Sequence, residues 1–256
     1  MKTKEEIVQN WLPRYTGRKL EEFPKHILLT NFNKYLEIFA RIYGVEIVGK
    51  DKNMPSVLAD GIMMINFGMG SPNAATIMDL LSAVSPDAVL FLGKCGGLKE
   101  KYDVGSFVIP MAGIRGEGTS NDYYPIEVPS LPAFNLLRSV SSTIRDRDMD
   151  YWVGTIYTTN RRVWEFDEKF KEYLRKIKAL GVDMETATLF TVGFANSIPT
   201  GALLLISDQP MLEHGIKTEE SDKHVDLNFI QNHVEIGIES LLKIKNSGTT
   251  IKHMLL

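Results

Sequence analysis

Two acidic segments of this sequence contain the side chains best suited to chemistry. Asp183-Met184-Glu185 and Ser207-Asp208 each follow a short apolar run that is typical of a buried strand. Taken singly, Asp183 is suited to an N-cap, Glu185 to the first turn of a helix, and Asp208 to a turn. Together they place carboxylates at the ends of two strands of one sheet, which favours a functional site there.

Two glycine-containing segments also follow strands. Gly68 to Pro72 lies between a strand and a helix, where a backbone can approach a ligand and a helix N-terminus favours anions. Either a tight turn or a ligand loop explains it, and we include Gly70 among the substrate-binding candidates. Asn73 stands where a dinucleotide-binding pattern needs a third glycine, which disfavours an oxidoreductase.

The second glycine-containing segment is Gly93-Lys94-Cys95-Gly96-Gly97. It is not a P-loop, because Ala88 and Cys95 stand where the motif needs glycine and serine or threonine. Cys95 is suited to a small packed residue, since no motif supplies a base to activate it. Lys94 brings a positive charge to this turn.

These segments need a scaffold, and the hydrophobic pattern indicates one of alternating strands and helices. Strands are predicted at His26–Thr30, Ile62–Phe67, Ala88–Leu92, Ser106–Ile109, Tyr151–Tyr157 and Ala202–Ile206. Gly113 to Pro132 lacks periodicity and is predicted to be a long loop. We therefore expect a single α/β domain with a mixed, largely parallel central sheet flanked by helices. Ligands of such folds bind at the carboxyl ends of the strands.

Composition excludes several classes of protein. The net charge of −3 shows no basic excess, so we expect no nucleic-acid partner. The single cysteine rules out a disulfide framework within the chain and suits a reducing cytoplasm. The first residues lack the apolar segment of a signal peptide, and no apolar run is long enough to span a bilayer. We expect a cytoplasmic protein without a membrane partner.

Seven segments identify a family resemblance. GMGSPNAAT, LFLGKCGGL, GVDMETAT and LLLISDQPM resemble the nucleoside phosphorylase and nucleosidase superfamily. RGEGTSNDYYP, TTNRRVWEFDEKFKEYLR and FANSIPTGALLLISDQPM closely resemble the catalytic domain of the AMP nucleosidase family. The resemblance covers roughly residues 25–245. It implies an N-terminal extension at 1–24, a catalytic domain at 25–246 and a C-terminal tail at 247–256, without the additional regulatory domain of longer members.

The resemblance implies a hydrolase that converts AMP to adenine and ribose 5-phosphate. Glu185 would hold the ribose hydroxyls, and Met184 would pack against the sugar. Asp208 would protonate N7 of the purine, supported by Ser207, which requires a raised pKa. The reaction needs neither a metal nor another cofactor.

Comparison with the superfamily pattern also bears on the nucleophile and on the residues that bind the substrate phosphate. Typical phosphorylases of this superfamily bind inorganic phosphate through a Gly-Asp-Pro loop with an arginine and through an arginine and a serine in a strand turn. Asn31 and Lys94 stand at these two places in this sequence. Both departures weaken a site for inorganic phosphate, which favours water as the nucleophile. Candidates for binding the substrate phosphate are the basic and hydroxyl side chains of two loops: Arg115, Thr119, Ser120, Arg161 and Arg162. Trp164 or Tyr157 are candidates for stacking on the base, and Lys223 aligns loosely with a residue that assists the acid.

Two other functions stay open from the sequence. One is a purine nucleoside phosphorylase that uses inorganic phosphate, and the other is a nucleotide sensor without turnover. The resemblance also implies a homo-oligomer, a hexamer by analogy with the superfamily, in which neighbouring subunits help to close the substrate site.

Overall fold

The computed structural model of the chain describes residues 2–248. Eight α-helices lie in this part of the chain, with two short 3-10 helices at Leu20–Glu22 and Thr119–Asp122. The α-helices are α1 (Lys4–Thr16), α2 (Asn33–Tyr43), α3 (Ser71–Leu81), α4 (Phe134–Asp146), α5 (Glu168–Lys176), α6 (Thr186–Ala195), α7 (Glu219–Asn228) and α8 (Ile230–Ser247). None of the helices within residues 2–248 is both long enough and apolar enough to cross a membrane.

One sheet contains the eight strands of the described residues. They are β1 (His26–Thr30), β2 (Ser56–Ala59), β3 (Ile62–Asn66), β4 (Ala88–Gly97), β5 (Phe107–Gly116), β6 (Tyr151–Thr159), β7 (Gly181–Asp183) and β8 (Thr200–Asp208). Their order is β2-β3-β1-β4-β7-β6-β5-β8, and β8 also pairs with β4. This extra pairing closes part of the sheet into a ring, which the sequence pattern did not predict.

The sheet is mixed, and the expectation of a single mixed α/β domain is confirmed. β4 runs parallel to β1 and β8 but antiparallel to β7; β1 pairs with its first half, β7 with its carboxyl end and β8 with most of its length. The β2–β3 hairpin turns at Asp60 and Gly61, which both have positive φ, 50° and 71°. Two positive φ angles are what a two-residue hairpin turn requires.

Two hydrophobic clusters cover the two faces of the sheet. Alternate residues of β1 show the division, because Leu29 packs in one cluster and Leu28 in the other. The first cluster includes residues of α1, α3 and α6, and the second includes residues of α2, α4 and α8. β1, β3, β4 and β8 are buried on both faces almost throughout, which explains their continuous apolar runs.

The structure extends or changes several predicted elements. The loop predicted from Gly113 to Pro132 was wrong at its start, because β5 continues to Gly116 through a register shift between Pro110 and Ala112. Within the predicted extension 1–24, α1 begins with a capping box formed by Thr3 and Glu6. Most of the predicted tail, residues 249–256, lies outside the described residues.

Candidate active site

An open cleft lies at the carboxyl ends of β1, β4, β7 and β8. This is the edge where ligands of α/β sheets bind. The cleft brings together eight of the predicted site residues: Lys94, Arg161, Arg162, Trp164, Met184, Glu185, Ser207 and Asp208. They come from four separate stretches of the sequence, so the tertiary fold assembles the site.

Glu185 is fixed in the cleft by backbone donors. Its Oε1 accepts from the Gly70 N–H at 2.7 Å, and its Oε2 accepts from the Met184 N–H at 3.3 Å. The positive φ of Gly70, 92°, is the conformation that this approach uses and that most other residues avoid. Gly70 itself does not appear among the described residues that line the cleft, so it acts through Glu185.

Glu185 is almost completely buried, with 2% of its surface exposed. Burial raises the pKa of its carboxyl, and the negative charge of Asp183 raises the pKa further. The Gly70 and Met184 N–H groups and the Asn31 side chain act in the opposite direction and favour the carboxylate. A positive charge on a ligand beside this carboxyl would favour its ionised form and lower the pKa again.

Asp183, at the end of β7, accepts hydrogen bonds from β6 and α6 next to Glu185. Its Oδ1 accepts from Thr158 Oγ1 at 2.7 Å, and its Oδ2 accepts from the Thr186 N–H at 2.8 Å and from the Thr186 hydroxyl. Thr158 Oγ1 also accepts from the Ala187 N–H at 2.9 Å. Asp183 thus satisfies donors at the start of α6, although the N-cap position belongs to Glu185.

Asp208 ends β8 on the other side of the cleft. Ser207 is buried and its hydroxyl donates to Asp208 Oδ1 at 2.6 Å. Burial raises the pKa of Asp208, whereas the Ser207 hydroxyl and the charges of Lys217 and Arg162 lower it. The net upward direction of the pKa favours a proton on this carboxyl at higher pH than usual, which is the property a general acid needs.

The basic side chains of the cleft are all ion-paired within residues 2–248. Lys94 Nζ lies 2.6 Å from Asp226 Oδ1, and Arg161 Nη2 lies 2.7 Å from Asp167 Oδ2. Two further pairs complete the set: Arg162 with Glu165 at 3.4 Å and Lys217 with Asp222 at 2.8 Å. The two arginines lie at the exposed rim, where a ligand anion can compete for their donors.

Arg115, Thr119 and Ser120 occupy a different place. In the part of the chain that the structure describes, none of the three lines the cleft. The Arg115 guanidinium instead donates to Ser120 Oγ at 2.8 Å and to backbone oxygens, including Pro125 O at 2.5 Å and Val128 O at 2.9 Å. These bonds join the end of β5 to the loop that follows it, and they occupy the donors of this guanidinium.

The two aromatic candidates also differ in position. Trp164 lines the cleft, and its ring meets Phe170 edge-on with centroids 5.4 Å apart. Tyr157 is buried between Phe170 and Tyr173, with centroids 5.8 Å from each. Of the two rings, only Trp164 lines the cleft among the described residues.

Sequence reasoning missed Lys217 and Thr159, which both line the cleft. Lys217 lies close enough to lower the pKa of Asp208. Lys223 aligns loosely with a basic residue that assists the acid in relatives. In the structure it pairs with Glu219 at 2.6 Å on the exposed side of α7. No spacing signal distinguishes the two lysines, because the loop before α7 decides which of them turns towards β8.

Comparison with known proteins agrees with this geometry. Residues 46–244 match the model of the phosphorylase superfamily, and the chain belongs to this superfamily. An AMP nucleosidase from Bacteroides thetaiotaomicron VPI-5482 has a crystal structure that is 60% identical, with a TM-score of 0.86, and the match covers 96% of this chain and 100% of that chain. The chain is thus a homologue of AMP nucleosidases.

Two more distant relatives have lower sequence identity and are covered only in part. The AMP nucleosidase of Escherichia coli K12 is 27% identical over 93% of this chain, but the chain spans only 58% of that protein's length. A guanosine phosphorylase from Halorubrum lacusprofundi is 28% identical over 69% of this chain and 74% of its own length. The superfamily thus includes proteins named for hydrolysis and proteins named for phosphorolysis.

Proposed function

We propose that this protein hydrolyses the N-glycosidic bond of AMP and releases adenine and ribose 5-phosphate. The observation that carries the proposal is a single cleft in which Glu185 and Asp208 lie on separate strand ends, and in which burial raises the pKa of Asp208 as a general acid requires. The 60% identity to a Bacteroides AMP nucleosidase across the whole of that chain supports AMP as the substrate.

Glu185 is proposed to hold the ribose hydroxyls. Its two oxygens already accept from backbone N–H groups, so the carboxylate keeps a fixed orientation and its remaining lone pairs can accept from a diol. Positive charge develops on the sugar as the glycosidic bond breaks, and a fixed buried carboxylate stabilises that charge. Met184, beside it in the cleft, would pack against the sugar.

Asp208 is proposed to protonate the purine at N7. A purine leaves poorly as an anion, so a proton delivered to its ring lowers the barrier. Burial favours the protonated acid before transfer, and the Ser207 hydroxyl together with Lys217 stabilises the carboxylate that forms afterwards. Trp164 supplies an apolar surface in the same cleft for the base.

Arg161 and Arg162 are proposed to bind the 5′-phosphate, with Lys217 as an additional cation. Both guanidiniums lie at the rim, and their side chains are 43% and 54% exposed. Planar guanidinium donors match phosphate oxygens better than they match a single carboxylate oxygen. Thr159, which accepts from the Arg161 N–H at 3.1 Å, fixes the start of this segment.

We also propose a cytoplasmic homo-oligomer, with a hexamer as the expected form and a role in purine salvage. Phe134, Phe166 and Leu227 have exposed apolar side chains, 73%, 75% and 84% exposed, and we expect subunit contacts to involve some of them. The division into residues 1–24, 25–246 and 247–256 stays a prediction.

A product assay tests the proposed reaction. AMP and adenosine are each incubated with the protein, with and without inorganic phosphate, and the base and sugar products are separated. Adenine and ribose 5-phosphate from AMP without phosphate are expected, and Asp208→Asn should lower the rate by about 10²- to 10⁴-fold. Ribose 1-phosphate from adenosine, formed only when phosphate is added, would instead identify a phosphorylase.

A further inference from the structure

Lys94 differs from the other basic residues of the cleft in its burial. Its side chain is 6% exposed, whereas those of Lys217, Arg161 and Arg162 are 20%, 43% and 54% exposed. It ends in the same cleft as Glu185, and its Nζ lies 4.6 Å from the centre of the Phe32 ring. Ligands that enter this part of the cleft therefore meet a cation that water screens only weakly.

The counter-ion of Lys94 comes from α7. Asp226 Oδ1 lies 2.6 Å from Lys94 Nζ, and the Asp226 side chain is 36% exposed. Nearby His233 adds no positive charge, because burial, aided slightly by Lys94, lowers its pKa to about 3. Lys94 and Asp226 thus contribute one positive and one negative charge, and the two charges cancel.

This cancellation decides how the cleft treats a free anion. Inorganic phosphate is attracted by an unpaired ammonium, whereas an ammonium already bonded to a carboxylate offers less charge and adds a repulsive neighbour. We propose that Asp226 is a specificity-determining residue that withholds Lys94 from inorganic phosphate and so leaves water as the nucleophile. This inference rests on the proposed hydrolytic function.

The direct test is Asp226→Asn, which keeps the shape of the side chain and removes its charge. Binding of inorganic phosphate is measured by calorimetry and by the shift in Tm that phosphate produces. Affinity for phosphate should rise on the order of tenfold or more relative to the wild type. Asp146→Asn is the matched control, because it breaks a 2.6 Å pair with Lys243 on the exposed surface, and it should leave phosphate affinity unchanged.

Loss of the counter-ion of a buried ammonium can prevent folding. The double variant Lys94→Met/Asp226→Asn replaces the pair by two neutral side chains and decides the question in that case. Its affinity for phosphate should equal that of the wild type, because Lys94 is already withheld there. A tenfold weaker affinity would show that Lys94 binds phosphate in the wild type and would overturn the inference.

A folded Asp226→Asn protein with wild-type phosphate affinity would also overturn the inference. AMP hydrolysis is measured separately on the wild type, so the two proposals fail independently. A wild type that releases no adenine from AMP refutes the proposed function, even where Asp226→Asn gains affinity for phosphate.

Discussion

Replacing Ser207 by alanine removes the hydroxyl that donates to Asp208 Oδ1 at 2.6 Å. That hydrogen bond is stronger to the carboxylate than to the protonated acid, so it lowers the pKa of Asp208. Its loss should raise the pKa. Because a general acid works only while it carries a proton, activity is lost as pH rises through this pKa, and the alkaline limb of kcat/KM should move to higher pH.

The size of the shift follows from the geometry. A hydrogen bond to an ionised group contributes about 1.5–3 kcal/mol, and one between neutral groups about 0.5–1.5 kcal/mol. The difference between the two protonation states is therefore about 1–1.5 kcal/mol, and one pKa unit corresponds to about 1.4 kcal/mol. Ser207 is 3% exposed, so little water replaces the lost donor. We expect a shift of about one unit.

The assay is the pH dependence of kcat/KM for adenine release from AMP by the wild type and by Ser207→Ala. The ionisation of AMP is common to both proteins, so the displacement between their alkaline limbs reports the enzyme alone. Ser82→Ala is the control, since Ser82 Oγ donates to Asp79 O at the same distance of 2.6 Å, away from the cleft. An alkaline limb that stays in place or moves to lower pH would refute the assignment of Asp208 as the acid.

Two further substitutions test Glu185 and the network beneath it. Glu185→Gln keeps the shape but removes the charge that stabilises the sugar cation, so kcat/KM should fall by about 10²- to 10³-fold in a protein with an unchanged circular dichroism spectrum; a smaller than fivefold change contradicts the role. Thr158→Val leaves Asp183 Oδ1 and the Ala187 N–H without this partner. The free energy of unfolding in urea should drop by about 2–5 kcal/mol. Thr76→Val removes a hydroxyl of a half-buried residue that donates only to Pro72 O within its own helix and should cost less than about 0.5 kcal/mol, and equal losses would refute the network.

Several elements were predictable from the sequence because their signals are local. HILLT at residues 26–30 forms β1 with the predicted bounds, since a short apolar run bounded by polar residues suits a strand buried on both faces. The turn at Asp60 and Gly61 was predictable because few residue pairs tolerate two positive φ angles. The pairing of β8 with β4 was not, because strand order depends on contacts between distant segments.

The candidate site divides in the same way. Residue types pointed to Asp183, Glu185 and Asp208, because carboxylates at the ends of strands of one sheet converge, and the family resemblance then singled out Glu185 and Asp208. They could not separate Arg161, at the cleft rim, from Arg115, which donates within its own loop. Both are arginines in stretches without apolar periodicity, and their chemistry is identical until the fold supplies their partners.

The sequence by itself determined the class of fold and the family, and it predicted the two carboxylates Glu185 and Asp208, because these depend on local patterns, motifs and residue chemistry. Only the tertiary structure decided the electrostatic state of the cleft. Burial, which raises the pKa of Asp208, and the pairing of Lys94 with Asp226 both depend on segments far apart in the chain. Desolvation and charge pairing depend on distances in space, and the sequence does not contain those distances until the chain has folded.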